Sequence, residues 1–205
     1  MIEGKDISKR FGDQVIFDNF SFQIQNGECV CFSGPSGSGK TTLLNIIGLL
    51  EPLDSGEILI NGKAYNTRKE KIKYYRDEVG FLFQNFALME NKTVYENLKI
   101  VKLQKDSPLN IENALSRVGL INKKENKVYT LSGGEQQRVA LARLILKQCN
   151  IILADEPTGS LDKRNAKTVM DILMSLNTEG KTVIFVTHDE HIKKYAQRTI
   201  KLCEE

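Results

Sequence analysis

Apolar residues recur with two rhythms along this chain. Over residues 2–32 they form short alternating runs, the rhythm of strands, broken at Gly12-Asp13 and Asn26-Gly27. Both dipeptides are hairpin signals. The last of these runs, Cys29-Val30-Cys31-Phe32, predicts a buried strand, and residues 41–50 after it predict a packed helix. A turn at Leu53-Asp54-Ser55-Gly56 precedes a strand over residues 57–63, which Asn61-Gly62 closes. Residues 68–76 form a basic helix candidate, and residues 79–84 a short buried strand ending at Gln84.

The rhythm then changes. Residues 94–103 and 111–118 read as helices, separated by Asp106-Ser107-Pro108, where proline ends a helix. Strand signals return at residues 150–156 and 182–187, with a helix over 163–176 between them and a final strand over 198–203. Strands and helices in this order predict an α/β fold with a small helical subdomain inserted in the sheet's connectivity.

Chemistry enters where strand meets helix. The stretch Ser33-Gly34-Pro35-Ser36-Gly37-Ser38-Gly39-Lys40-Thr41-Thr42 fits a phosphate loop. Its glycines let backbone N–H groups curl around phosphate oxygens, Lys40 adds a positive charge, and the Thr41 hydroxyl suits Mg²⁺. The helix that follows directs its unsatisfied N–H groups and dipole at the same anion. This predicts a nucleoside triphosphate as ligand.

A second helix start shows the same economy of side chain. In Leu131-Ser132-Gly133-Gly134-Glu135-Gln136-Gln137-Arg138, Ser132 is a good N-cap, yet two helix-weakening glycines follow it. Bare backbone there suits close approach to an anion, so the chain carries two candidate phosphate-binding helix starts; a flexible hinge is the other reading.

Three buried strands end in polar groups. Gln84 follows the strand over 79–84 and points into the ligand crevice of an open α/β sheet, or else is an exposed loop residue. Asp155 and Glu156 end another strand and, as strand neighbours, face opposite ways. One can help hold a metal while the other faces an attacking water; an acidic turn is the plainer reading. His188 ends the strand over 182–187, and His191 reads as surface. Phe11, at the end of the first strand, is favoured as core on the residue alone, although its ring could stack on a flat base.

Composition narrows the partners. Of 205 residues, 29 are basic and 26 acidic, a formal charge of +3 that gives no electrostatic footprint for nucleic acid. The basic run over residues 68–76, with Tyr74 and Tyr75, reads as a solvated helix face. The first residues lack a secretory leader's apolar core, and no run approaches membrane-spanning length, so a cytoplasmic location is expected, with any membrane contact supplied by a partner. Cysteines at 29, 31, 149 and 203 show no metal-ligand spacing; Cys29 and Cys31 share one strand face and read as buried, reduced thiols.

Taken in order, these motifs resemble the ATP-binding subunit of an ABC transporter, across nearly the whole chain. Walker A is Gly34 to Thr41, the Q-loop is Gln84, the signature runs from Leu131 to Arg138, Walker B from Ile151 to Glu156, the D-loop is Ser160-Leu161-Asp162, and the H-loop is His188. The resemblance implies a P-loop core of residues 1–84 and 139–205, with a mixed sheet, flanking helices and an antiparallel β subdomain. Residues 85–138 would be the helical signature subdomain. It implies ATP and Mg²⁺ as ligands and a homodimer formed head to tail on ATP binding. In that dimer Ser132, Gly133, Gly134 and Glu135 of one copy, with Asp162 nearby, contact the nucleotide held by residues 33–42 of the other.

The same resemblance makes Thr41, Gln84 and Asp155 the metal shell, Glu156 the general base, His188 a sensor of the γ-phosphate, and Phe11 the adenine-stacking aromatic, reversing the core reading. It implies a separate transmembrane permease, met through Gln84 and residues 85–90, and a place at the cytoplasmic face of the membrane. The most similar branch holds lipoprotein-release, macrolide-efflux and bacteriocin-export ATPases. Departures are small: Glu135 where glutamine is also common, Ser160 where asparagine is frequent, and a short helical stretch over 102–130. The sequence ends soon after His188, so the regulatory C-terminal domain of some importers is not expected. Two rival classes are an ABC ATPase acting on DNA or ribosomes, which would bring coiled coils or a second cassette, and a nucleoside kinase, which leaves the signature unexplained.

Overall fold

The computed structural model describes residues 1–101 and 110–202. The chain opens with an antiparallel pair, β1 (Ile2–Phe11) and β2 (Gln14–Ile24), turned at Gly12-Asp13 so that Phe11 faces Gln14. Then come β3 (Cys29–Ser33), α1 (Lys40–Ile47), β4 (Ser55–Ile60), α2 (Arg68–Asp77) and β5 (Val79–Leu82). Helices α3 (Val94–Lys99), α4 (Ile111–Arg117) and α5 (Gly133–Lys147) follow. The rest is β6 (Ile151–Asp155), α6 (Lys163–Thr178), β7 (Thr182–Val186), α7 (Glu190–Lys193) and β8 (Arg198–Lys201).

Two sheets result. One is antiparallel in the order β2-β1-β4; the other is parallel in the order β5-β6-β7-β3-β8. Every residue of β3 and β7 is buried, as parallel strands covered on both faces require. The period of two sorts β3 between two cores. Cys29 and Cys31 join α5 and α6 on one face, while Val30 and Phe32 join α1 and the antiparallel sheet on the other. Burial pushes the Cys29 thiol up to about 12 and that of Cys31 to about 11, which keeps both protonated.

Several local expectations are corrected. Asn26-Gly27 turns the chain, with Gly27 at φ 77°, but joins strands of different sheets rather than a hairpin. The reason is that β3 needs cover on both faces, and it finds that in the parallel sheet between β7 and β8, where α5 and α6 cover one face and α1 with the antiparallel sheet the other. Helix α1 stops at Ile47, not Leu50, because Leu49 adopts φ 58°, a left-handed step that a helix cannot continue through. Strand β4 runs over Ser55–Ile60, since Asn61 and Gly62 form the turn itself, both at positive φ. On α2 the tyrosines point inward: Tyr74 donates to Ile47 O at 3.1 Å and Tyr75 to Leu49 O at 2.6 Å. The expected proline break at 106–108, the end of the helix expected to reach 103, and Cys203 lie outside the described residues.

Candidate nucleotide-binding site

The loop between β3 and α1 is pressed tightly onto its surroundings. Gly37 and Gly39 take φ of 81° and 85°, and a Cβ on Gly39 would collide with Ile16 and Phe17 of β2. A Cβ on Gly34 would collide with the Ser38 hydroxyl. No side chain caps α1, so its first N–H groups lack a side-chain acceptor. Ser38 Oγ is buried and has no hydrogen-bond partner among the described residues. Lys40 Nζ folds over the loop and donates to Gly34 O at 2.8 Å and Pro35 O at 2.7 Å. Bare donors, an orphaned hydroxyl and a lysine around one concavity fit a bound polyphosphate.

That concavity continues as a cleft of about 380 Å³ lined by Phe11, Gln14, Ile16, Lys40, Thr41 and Glu156 among others. Phe11 stands on its wall with 48% of its surface exposed, so the core reading of this residue is overturned. It sits at the very end of β1, beyond the reach of the core. Beneath it Lys9 Nζ lies 4.9 Å from the ring centroid, itself held by Glu51 at 2.6 Å and Pro52 O at 2.9 Å.

Thr41 and Asp155 meet across the base of the site, the hydroxyl donating to Oδ1 at 3.1 Å. Burial raises the Asp155 carboxyl above its ordinary value. Gln84, Asn85 and Phe83 line an adjoining hollow of about 330 Å³ that Asp155 also walls. Gln84 is exposed.

Glu156 leaves the strand with φ 43°, and this left-handed step separates it from Asp155. Its Oε2 accepts from Thr187 Oγ1 at 3.1 Å and its Oε1 lies 2.8 Å from His188 Nδ1. Among the described residues no three His, Cys, Asp or Glu side chains gather as a metal cage. The oxygens of Thr41, Asp155 and Gln84 are few and hard, a set that suits Mg²⁺ shared with substrate phosphates.

The second helix start stands apart. Among the described residues no hydrogen bond or ion pair joins 131–138 to 33–42. Ser132 caps α5 in a reciprocal box, accepting from Glu135 N at 3.3 Å while Glu135 Oε2 accepts from Ser132 N at 2.9 Å. The two glycines differ. Gly133 is exposed, and a Cβ there would find only Leu161 and Phe86 atoms at 3.9 Å. Gly134 is buried, and a Cβ would meet the Asn165 side chain at 2.5 Å.

Asn165 belongs to α6, which Asp162 caps. Asn165 Nδ2 donates to Asp162 Oδ2 at 2.6 Å, and its Oδ1 accepts from Arg138 at 2.7 Å. Motif reasoning passed over Asn165, Thr187 and Gln14. Only Gln14 left a signal, as the hairpin partner of Phe11.

Comparison with known proteins decides what this arrangement is. A family model described as "ABC transporter" matches residues 17–159, more than half of the chain. The chain belongs to the ABC transporter family. It is the ATP-binding domain of that family, an ABC ATPase. Among its relatives, the ABC transporter ATP-binding protein YxdL of Bacillus subtilis (strain 168) is 40% identical, the match covering 98% of this chain and 82% of YxdL. The macrolide export ATP-binding/permease protein MacB of Mannheimia succiniciproducens is 39% identical over 98% of this chain. There the ABC ATPase spans only 33% of the relative's length. A solved dimeric structure of the ATP-binding cassette MJ0796, in a post-hydrolysis state bound to ADP and Pi, superposes with TM-score 0.85. It is 35% identical, with 98% of this chain and 94% of that one covered. The fold expected from the motifs is therefore the fold of the ABC ATPase.

Proposed function

We propose that two copies of this chain close head to tail around two ATP molecules and drive a separate membrane permease that exports a peptide, lipoprotein or drug-like substrate. One observation carries the reading. Ser132 and Gly133 are exposed at an unobstructed helix start that does not touch the phosphate loop of its own chain. A second nucleotide, held by another copy, gives that helix start an anion.

Each residue then has a task. Backbone N–H groups of residues 36–42 and Lys40 hold the phosphates, with Ser38 Oγ free to donate to them. Phe11 offers its face to the adenine ring. Thr41, Asp155 and Gln84 would hold Mg²⁺, which when bound offsets the charge of the phosphate oxygens. Glu156 takes the proton of the attacking water, oriented by Thr187, and His188 reaches from the adjacent strand end toward the γ-phosphate. Ser132, Gly133, Gly134 and Glu135 receive the partner's nucleotide, with Asp162 bracing them through Asn165.

We also read residues 85–138 as the helical part of one catalytic domain over 1–205, since α3 and α4 pack on each other and on α5. Among the described residues no helix is long and apolar enough to cross a membrane, so the permease supplies the crossing and draws the ATPase to the cytoplasmic face. The export direction rests on the likeness to the macrolide exporter.

The test is a mild-detergent pull-down of tagged Glu156→Gln protein from its native cells with ATP present, read by mass spectrometry. A multi-spanning membrane protein supports the reading. Ribosomal or DNA-bound partners without a membrane protein overturn it.

A further inference from the structure

Just beyond Gln84 the backbone takes a conformation that side chains disfavour. Phe86 and Ala87 are consecutive non-glycine residues with φ of 60° and 47°. Such a pair persists only where its surroundings hold it. Here the backbone turn closes on itself, Phe86 N–H donating to Phe83 O at 3.0 Å and Ala87 N–H to Asn85 O at 2.7 Å, and one side chain holds its carbonyls: Arg143 donates through Nη2 to Phe86 O at 2.7 Å and through Nη1 to Ala87 O at 2.6 Å.

Arg143 lies on α5, the helix that begins at the signature. Its side chain is half-buried, desolvation lowers its pKa, and among the described residues no carboxylate pairs with it. Its charge is met by two carbonyl dipoles that the left-handed turn aims at it.

The Phe86 side chain reaches the other way. Its Cζ and Leu161 Cδ2 are the atoms nearest to where a Cβ on Gly133 would stand, both at 3.9 Å. The segment after Gln84 and the loop that Asp162 closes thus each bring one apolar side chain beside the signature helix start. Farther along, Asn97 of α3 grips Met89, donating to its carbonyl at 3.0 Å and accepting from its N–H at 2.8 Å.

We propose that Arg143 is a positioning residue that clasps Phe86 and Ala87 in their left-handed turn, so that the Phe86 ring seats Gly133 for the partner's nucleotide. The inference rests on the head-to-tail reading above. The planar fork of arginine serves two carbonyls at once, whereas lysine presents a point charge.

The experiment uses the full chain in a Glu156→Gln background, comparing Arg143→Gln, Arg143→Lys, Phe86→Leu and Ser132→Arg. ATP-dependent dimerisation is followed by size exclusion, nucleotide affinity by titration with a fluorescent ATP analogue, and amide exchange by mass spectrometry. Arg143→Gln should weaken dimerisation about tenfold, the order of a charge-assisted hydrogen bond, with nucleotide affinity held within about twofold. Arg143→Lys should recover part of the loss, and Phe86→Leu should reproduce it. Unchanged dimerisation in Arg143→Gln overturns the clasp, as does a loss matched by an equal loss of nucleotide affinity. If Ser132→Arg still dimerises, the head-to-tail reading fails instead. Exchange in the monomer then decides: faster exchange over 85–90 and 131–136 in Arg143→Gln supports the clasp, and unchanged exchange overturns it.

Discussion

His188 Nδ1 lies 2.8 Å from Oε1 of Glu156, joining the ends of two neighbouring strands, β7 and β6. The carboxylate that faces the phosphate cleft is thereby oriented from the side, with Thr187 on its other oxygen. Glu156→Gln keeps the shape and removes the basicity. ATP binding should persist while hydrolysis slows on the order of 10²–10⁴-fold, the usual worth of a positioned base. Phosphate release from the purified variant measures this, and near-parental turnover would remove Glu156 as the base. The same variant should accumulate as an ATP-bound dimer.

Lys40 rests on Gly34 O and Pro35 O and is the only cation among the residues lining the cleft. Lys40→Ala should weaken nucleotide binding by more than about tenfold, as loss of a charge-assisted contact does. Titration with a fluorescent ATP analogue reads it; affinity within about twofold of the parent counts against the phosphate assignment.

The two signature glycines should separate under substitution. Gly134→Ala forces Asn165 aside and should cost about 1–3 kcal/mol of stability, visible as a lowered melting temperature. Gly133→Ala meets nothing closer than 3.9 Å, so melting should hold while ATP-dependent dimerisation weakens. Equal melting losses in both variants would show that Gly133 is there for packing alone.

Phe11→Ala should reduce affinity for ATP by about 1–3 kcal/mol, the range for an aromatic stacked on a base. Phe11→Tyr should bind like the parent. Inorganic triphosphate, which has no base, should bind both variants equally well, and a loss there would place Phe11 elsewhere in the site.

Glu70 closes the capping box of α2. Its carboxylate accepts from the Thr67 backbone N–H at 3.1 Å and hydroxyl at 2.9 Å and pairs with Lys63, which together lower its pKa from 4.5 to about 2. The folded value lies below the ordinary one, so this stabilisation is complete above 4.5 and is lost as pH falls through about 2. The melting temperature of the parent should exceed that of Glu70→Gln near neutrality, and the gap should narrow over that window. A gap independent of pH would exclude the carboxylate as its source.

Much of this protein was legible in the order of its residues. The phosphate loop, the capped glycine pair and the strand-end Asp155, Glu156 and His188 each announce themselves through a few adjacent residues. Their chemistry is set by backbone freedom, hydroxyls and charge close at hand. Strand and helix rhythm placed the elements, because each element buries its own face.

Other features depend on neighbours far along the chain. Asn26-Gly27 encodes a turn but not the sheet that receives β3; that was decided by where both of its apolar faces could be covered, by α5 and α6 on one side and by α1 and the antiparallel sheet on the other. Phe11 reads as core on the residue alone and as a stacking aromatic only through the motifs around it; that the end of β1 overhangs a cleft is a fact of packing. Two adjacent glycines look alike in sequence, yet Asn165 packs on only one of them. Arg143 carries no motif of its own. Its two acceptors lie 57 and 56 residues earlier, turned toward it by a strained loop. Local pattern determines what a segment can be, and packing between distant segments decides which of its groups are left free to act.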